Sequence, residues 1–477
     1  MIRHQPSAWR RAALAVLALV VGFALFFAFD PEPSFRPEPL NIEISERARR
    51  VHGEAVVIDL HVDSLLWTRD LRVAAQGGQL DFPRMRAGGL DVAAFTIPTA
   101  FFGLAGLKAF HDRWPVRTWF SPWARLEHQL SKMESLADSG AITVTADAGK
   151  LREQKGLYGF HGIEGAHALE SDVGRVRELA GRGVVFIGPV HLTNNAFGGS
   201  SSGSDRGLTA LGKSLVMEMN RAGVLLDLAH ASPKTFAESL ALTELPPLVS
   251  HSGVRAVHDT WRNLGDDQIR AVASRGGVIG VMLAPPALSH ASLEEVLRHI
   301  EHVIAVGGED AVAIGSDFDG YVTPPIGADS LPALTELMLR RGFSDERIRK
   351  VLGGNVVRLL QSRDTLAPMA AKFTISKGRN AKYYFNLKGP NGEIILASQG
   401  YAGRDGCRKG IESVRINSRV QARFEAKSSK RGQSYFVLKA KNGQVVGQSQ
   451  MYKTERSCNK GMQSVRKNAR TAKLTES

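Results

Sequence analysis

Between residues 43 and 367 the chain alternates short, continuous apolar runs with longer segments of helical period. The runs are Ala55–Leu60, Leu90–Ile97, Leu157–Ile163, Val184–Val190, Val224–Leu228, Pro247–Ser250, Val278–Leu283 and Val312–Ser316. Apolar runs that do not alternate with polar residues mark strands buried on both faces, as in a parallel sheet. Stretches such as Ser214–Ala222 and Asp266–Ser274 read as helices between them. Eight buried strands interleaved with helices predict an α/β fold, a TIM-like (β/α)8 barrel. The alternative is a doubly wound open sheet, but no Gly-rich phosphate fingerprint follows the first run.

Two further patterns flank this region. Residues 12–29 form an uncharged apolar run of 18 residues, close to the ~20 that span a bilayer as a helix. Arg3, Arg10 and Arg11 lie before it, in residues 1–11, and Asp30 and Glu32 lie after it. That bias predicts a transmembrane signal-anchor with residues 1–11 in the cytoplasm and the rest outside, on the periplasmic side of a bacterial inner membrane. A cleaved signal peptide, giving a secreted chain, is the competing reading. Phe26 and Phe27 stand where a cleavage site needs small residues, which favours the anchor. The Pro-rich residues 30–42 read as a linker.

Beyond residue 370 the chain repeats itself at an offset of 51 residues: Tyr384-Phe385 matches Tyr435-Phe436, Cys407 matches Cys458, and Ser413-Val414-Arg415 matches Ser464-Val465-Arg466. The copies, 371–419 and 422–470, each read as two strands, an Asn-Gly turn, a third strand and a short helix ending in Asn. This predicts a small α+β tandem-repeat domain, with both cysteines as small core residues of its helices.

Charge separates the two regions. Residues 371–477 carry 23 Lys+Arg and 6 Asp+Glu, a net of +17. The remainder carries 61 − 23 = 38 basic and 47 − 6 = 41 acidic residues, a net of −3. A polyanion partner (anionic lipid, wall polymer or nucleic acid) is therefore an expectation for the tail alone, against a merely solvated basic surface. With both cysteines in the tail, a metal in the barrel must use imidazoles and carboxylates.

Residues of that kind gather where the strands end. The first run leads into IDLHVD, with His61 and Asp63 two apart, a spacing that points both to one side of a strand. The third leads to Glu164, the fifth to His230 in DLAH, and the sixth to His251 in VSHS. One such residue alone is more often simply hydrogen-bonded. Five at strand C-termini, the rim where barrel active sites are built, point to a metal centre.

Besides these residues the sequence carries longer motifs: DFPRMRAGGLDVAAF (81–95), VHLTNN (190–195), GLTALGKSLVMEMNRAGVLLDLAH (207–230), SHSGVRAVHDTWRN (250–263), AIGSDFDG (313–320) and GGNVVRLL (353–360). Over residues 50–362 the chain resembles the membrane dipeptidases (renal dipeptidase type, peptidase family M19). That resemblance implies a metal-dependent hydrolase with two Zn2+ per chain. His61 and Asp63 would hold one ion, His230 and His251 the other, and Glu164 would bridge them. It implies hydrolysis of dipeptides by a metal-bridged hydroxide. His191 would bind the oxygen that gains charge, Arg262 the substrate carboxylate, and Asp317 the substrate amine, also moving a proton to the leaving nitrogen. It makes a homodimer plausible. The tail resembles the YegP-like bacterial repeats, whose function is not established. Two other functions compete: a related binuclear amidohydrolase acting on another amide or lactam, and an envelope-binding protein acting through its basic repeats. The Phe- and Trp-rich stretch 96–123 reads as either a rim lid or a packed insertion.

Overall fold

The computed structural model describes residues 37, 40–100, 105–153, 156–366, 371–389, 393–430, 432–470 and 472–476. The anchor expected at residues 12–29 lies outside them. Among the described residues, no helix is long and apolar enough to cross a membrane.

All eight expected strands form: β1 Ile58–Val62, β2 Val92–Pro98, β3 Tyr158–Glu164, β4 Val184–Ile187, β5 Leu225–Leu226, β6 Leu248–Ser252, β7 Val278–Val281 and β8 Val312–Ile314. Their order in the sheet is β5-β4-β3-β2-β1-β8-β7-β6, with a two-residue strand, Thr143–Val144, beside β3. Pairing is parallel, with Ile58 opposite Val92, Val92 opposite Tyr158, Asp59 opposite Ile314 and Ile279 opposite Val312. A parallel bridge from Asp227 to Leu248 spans the gap between β5 and β6, so the sheet is a nearly closed barrel. All residues of the eight strands are buried, as covered parallel strands require. Burying each Val, Ile, Leu or Phe contributes about 1.5–3 kcal/mol.

The expected helices appear at Ala210–Ala222 and Asp266–Ala273. Helix starts are set by hydroxyl or carboxylate caps followed by proline: Asp81 accepts from the Arg84 amide, Ser121 from that of Ala124 and Ser232 from that of Thr235. Two glycines let the barrel backbone close up. A Cβ on Gly315 would lie 1.8 Å from the Ser250 carbonyl oxygen, and one on Gly280 would lie 2.1 Å from it. The stretch after β2 forms helices Ala105–His111, Arg117–Phe120 and Pro122–Asp138. Its Ala109 and Trp114 are buried with Leu66 and Trp67, and Trp119 packs on them.

The tail forms its own seven-stranded sheet from β9 Lys372–Lys377, β10 Tyr383–Lys388, β11 Ile394–Ala397, β12 Phe424–Ser428, β13 Ser434–Lys439, β14 Val445–Gln448 and β15 Lys473–Glu476. The order is β12-β13-β14-β11-β10-β9-β15. The two copies join where Ala397 pairs with Gln448. The last strand lies 51 residues after residues 422–425, where β12 begins, and pairs in parallel with β9. Helices Arg404–Asn417 and Glu455–Asn468 each end on the expected Asn, which hydrogen-bonds back to the Ser413 or Ser464 carbonyl. Cys407 and Cys458 are unpaired and fully buried in the core with Phe373, Phe385 and Phe436.

Candidate metal centre

The structure brings all eight sequence-predicted site residues to the C-terminal rim of the barrel. His61 sits on β1 and Asp63 one residue past it; Glu164 ends β3; His251 lies on β6. His191, His230, Arg262 and Asp317 come from the connections after β4, β5, β6 and β8. His230 and Asp317 hold φ values of +62° and +65°, a left-handed backbone uncommon outside glycine and one that turns each chain sharply as it leaves its strand.

Glu164 is the hub. Its Oε1 lies 3.0 Å from His230 Nε2, 3.5 Å from His251 Nε2 and 3.7 Å from His61 Nε2. Its Oε2 lies 3.2 Å from His191 Nε2. His61 Nε2 is also 3.6 Å from Asp63 Oδ1 and 3.7 Å from Asp317 Oδ1. The Nε2 atoms of His230 and His251 are 3.1 Å apart. Arg262 donates from Nη2 to the His251 carbonyl at 2.7 Å, and the same nitrogen is 3.3 Å from His230 Nε2. Asp319 does a different job from its neighbour Asp317. It accepts from the Ser64 hydroxyl at 2.5 Å and the Gln79 amide at 2.8 Å and pairs with Arg69, which fixes the loop.

Supporting bonds that sequence reasoning missed hold the cup. Thr96 donates to Asp63 Oδ1 at 2.5 Å. Asp59 Oδ1 accepts the amides of His61 and Ser316, and Asp227 Oδ1 accepts those of Ala229 and Ser250. Ser250 Oγ lies 3.1 Å from His61 Nδ1 and 2.9 Å from His251 Nδ1. The available signal was an acid inside each apolar run, in IDLH and LDLAH.

Electrostatics make the centre unstable by itself. Burial pushes Glu164 and Asp317 well above the carboxylate range, and the Asp63 charge adds to both. Burial raises Asp63 to about 7 against the bond from Thr96. Burial, with Arg262 adding, drives His61 and His230 well below the imidazole range; for His251 burial is followed by His61 and then Arg262. His191 is lowered to about 3, first by burial, then by His167 and Arg262. Three crowded carboxyls that repel one another and several neutral imidazoles aimed inward are the environment a divalent cation relieves. His61 Nε2 is buried with no hydrogen-bond partner among the described residues. Three overlapping sets, His61–Glu164–His251, Glu164–His191–His230 and His61–Asp63–Asp317, each place their ligand atoms within 4.8 Å of one another. The donors fit borderline divalent ions such as zinc.

A parallel barrel with such a cup at its C-terminal rim defines the class of barrel metallohydrolases. The chain belongs to the membrane dipeptidase family, peptidase family M19, whose family model matches residues 45–372. The model of a domain of unknown function, DUF1508, matches residues 379–425 and 429–476. The dipeptidase verJ of Clonostachys rogersoniana is 36% identical over 209 residues, 42% of this chain and 54% of that protein. An uncharacterized dipeptidase of Schizosaccharomyces pombe, C965.12, is 31% identical over 225 residues, 44% of this chain and 54% of that protein. The chain thus spans about half the length of the curated relatives it matches. A metallo peptidase from Rhodobacter sphaeroides, solved with a phosphinate mimic of the dipeptide L-Ala-D-Ala, is 29% identical with a TM-score of 0.57, covering 64% of this chain and 99% of that one.

Proposed function

We propose that this chain hydrolyses dipeptides with two Zn2+, one held by His61 and Asp63, the other by His230 and His251, with Glu164 shared between them. The observation that carries the reading is the convergence of three imidazoles on one Glu164 oxygen, with Asp63, Asp317 and Arg262 beside them. Such ions, if bound, would supply Lewis-acid polarisation of a carbonyl and a more acidic water.

The chain's own residues supply the rest. Arg262, anchored on the His251 carbonyl, offers its remaining N–H groups as a fork to the substrate's terminal carboxylate. Asp317 takes the free amine and carries the proton released by the attacking water to the leaving nitrogen. His191 donates from Nε2 to the oxygen that gains charge. That role requires the Nε2–H tautomer, which gives up the 3.2 Å contact of its Nδ1 with the Ala100 carbonyl. Recognition of both chain ends restricts cleavage to two-residue substrates.

We further propose, from the apolar run 12–29 and the +17 tail, that the barrel lies outside the cytoplasm on an anchor at 12–29, that the tail takes a polyanion, and that the chain forms a homodimer. The test of the activity is a panel of free, N-acetylated and C-amidated dipeptides that includes L,D pairs, the stereochemistry mimicked in the Rhodobacter relative's ligand. Free dipeptides should be cleaved and both blocked sets spared. Zinc-loaded protein that ignores the free set but opens a lactam or another amide would replace this function with the amidohydrolase reading.

A further inference from the structure

We infer that Ser250 is a positioning residue shared by the two halves of the metal centre, its single hydroxyl fixing the tautomer and aim of both His61 and His251. The inference rests on the two-ion reading above.

The argument begins with hydrogen-bond capacity. His61 and His251 both turn Nε2 toward Glu164 Oε1, at 3.7 and 3.5 Å. A neutral imidazole that gives its Nε2 lone pair to a cation carries its proton on Nδ1. Both Nδ1 atoms face one atom, Ser250 Oγ, at 3.1 and 2.9 Å. A hydroxyl oxygen has two lone pairs, so it can accept both N–H groups. Its own proton then needs a third partner. The Asp227 carboxylate, which accepts the Ser250 amide at 2.9 Å and the Ala229 amide at 3.0 Å, is the neighbouring acceptor to which we assign that proton. Two acceptances and that one donation would use the hydroxyl fully, and Ser250 is buried.

The geometry leaves Ser250 little freedom. It sits on β6 next to His251, and His61 reaches it from β1, 189 residues away in sequence. The rings of His61 and His251 approach to 3.6 Å between centroids, so each packs against the other. Gly280 and Gly315 admit the Ser250 carbonyl where any side chain would collide. His61 and His251 serve different ions in the proposed arrangement, so one hydroxyl couples the two sites. Other ligands lack this link: Asp63 is held by Thr96.

A hydrogen-bond partner behind a metal-ligating histidine is typically worth about 10–100-fold in metal affinity. Ser250→Ala should therefore weaken both zinc affinities by roughly that factor. The test is a chelator-competition titration of the metal-stripped full chain, wild type against Ser250→Ala and Ser250→Thr, with thermal melts in chelator to compare the folds. Nitrogen chemical shifts of the imidazoles in the zinc-loaded wild type should report protons on Nδ1 of His61 and His251. The expected result is two weakened sites in Ser250→Ala, recovery toward wild type in Ser250→Thr, and matching melts in chelator. Two wild-type zinc sites left unchanged by Ser250→Ala, or only one of them weakened, would overturn the shared role while leaving the dipeptidase reading intact. A wild type that binds no zinc would instead sink the two-ion reading itself.

Discussion

Arg262 donates from Nη2 to the carbonyl oxygen of His251 at 2.7 Å, so the buried guanidinium is tied to a residue whose imidazole faces the hub carboxylate. The tie predicts a binding defect. Arg262→Ala would remove the fork proposed for the substrate carboxylate, a buried charged contact worth ~3 kcal/mol, and should raise KM about a hundredfold with a smaller fall in kcat. Arg262→Lys keeps the charge but not the fork and should recover little of the loss. Steady-state kinetics on a cleaved dipeptide decide it; a variant with unchanged KM contradicts the assignment.

Glu164 lies among the histidines, where bound cations would hold it ionised. Glu164→Gln keeps the shape and removes the charge, so it should lower bound zinc from two ions toward one or none and cut kcat at least about a thousandfold. Metal analysis by mass spectrometry after desalting checks it. A variant that retains two ions shows that the carboxylate is not their bridge.

Gly315→Ala tests the close approach of the strands. Its Cβ would meet the Ser250 carbonyl at 1.8 Å, so β6 or β8 must shift. Overpacking of this kind costs about 1–3 kcal/mol. The urea midpoint and the zinc content should both fall. An unchanged midpoint means the barrel has more room there than described.

Acid should weaken the fold through His299. Its Nδ1 accepts the Val254 amide at 2.9 Å, which requires an unprotonated nitrogen. Burial lowers this imidazole to about 4, with Glu295 opposing. An unfolded histidine titrates near ~6.5, so between these values the unfolded chain binds a proton that the native chain refuses. The stability contribution is complete above about 6.5 and is lost as pH falls toward 4. Urea midpoints between pH 7 and 4.5 should drop less steeply in His299→Gln than in wild type; equal slopes would remove His299 from the acid response.

The sequence displayed the local part of this account and hid the tertiary part. Continuous apolar runs marked β1 to β8, because buried parallel strands have no polar face to interrupt them. His61, Glu164, His230 and His251 were visible since each stands at or beside a strand end, where a ligand-type residue breaks the apolar pattern. Ser250, Asp227 and Asp59 were not visible as supports. Asp59 bonds to Ser316 across 257 residues, a pairing that only barrel closure creates. The tail's duplication was plain, yet β15 was missed because it follows the second copy and pairs back to β9. The aromatic stretch after β2 packs Trp114 with Trp67, a contact that its sequence alone does not specify.

The most direct measurement is an anomalous difference map, collected at the zinc absorption edge from crystals of the zinc-loaded protein. Two peaks should flank the Glu164 carboxylate, one beside His61 and Asp63 and the other beside His230 and His251. An empty cup, or zinc bound only by residues outside it, would contradict the account.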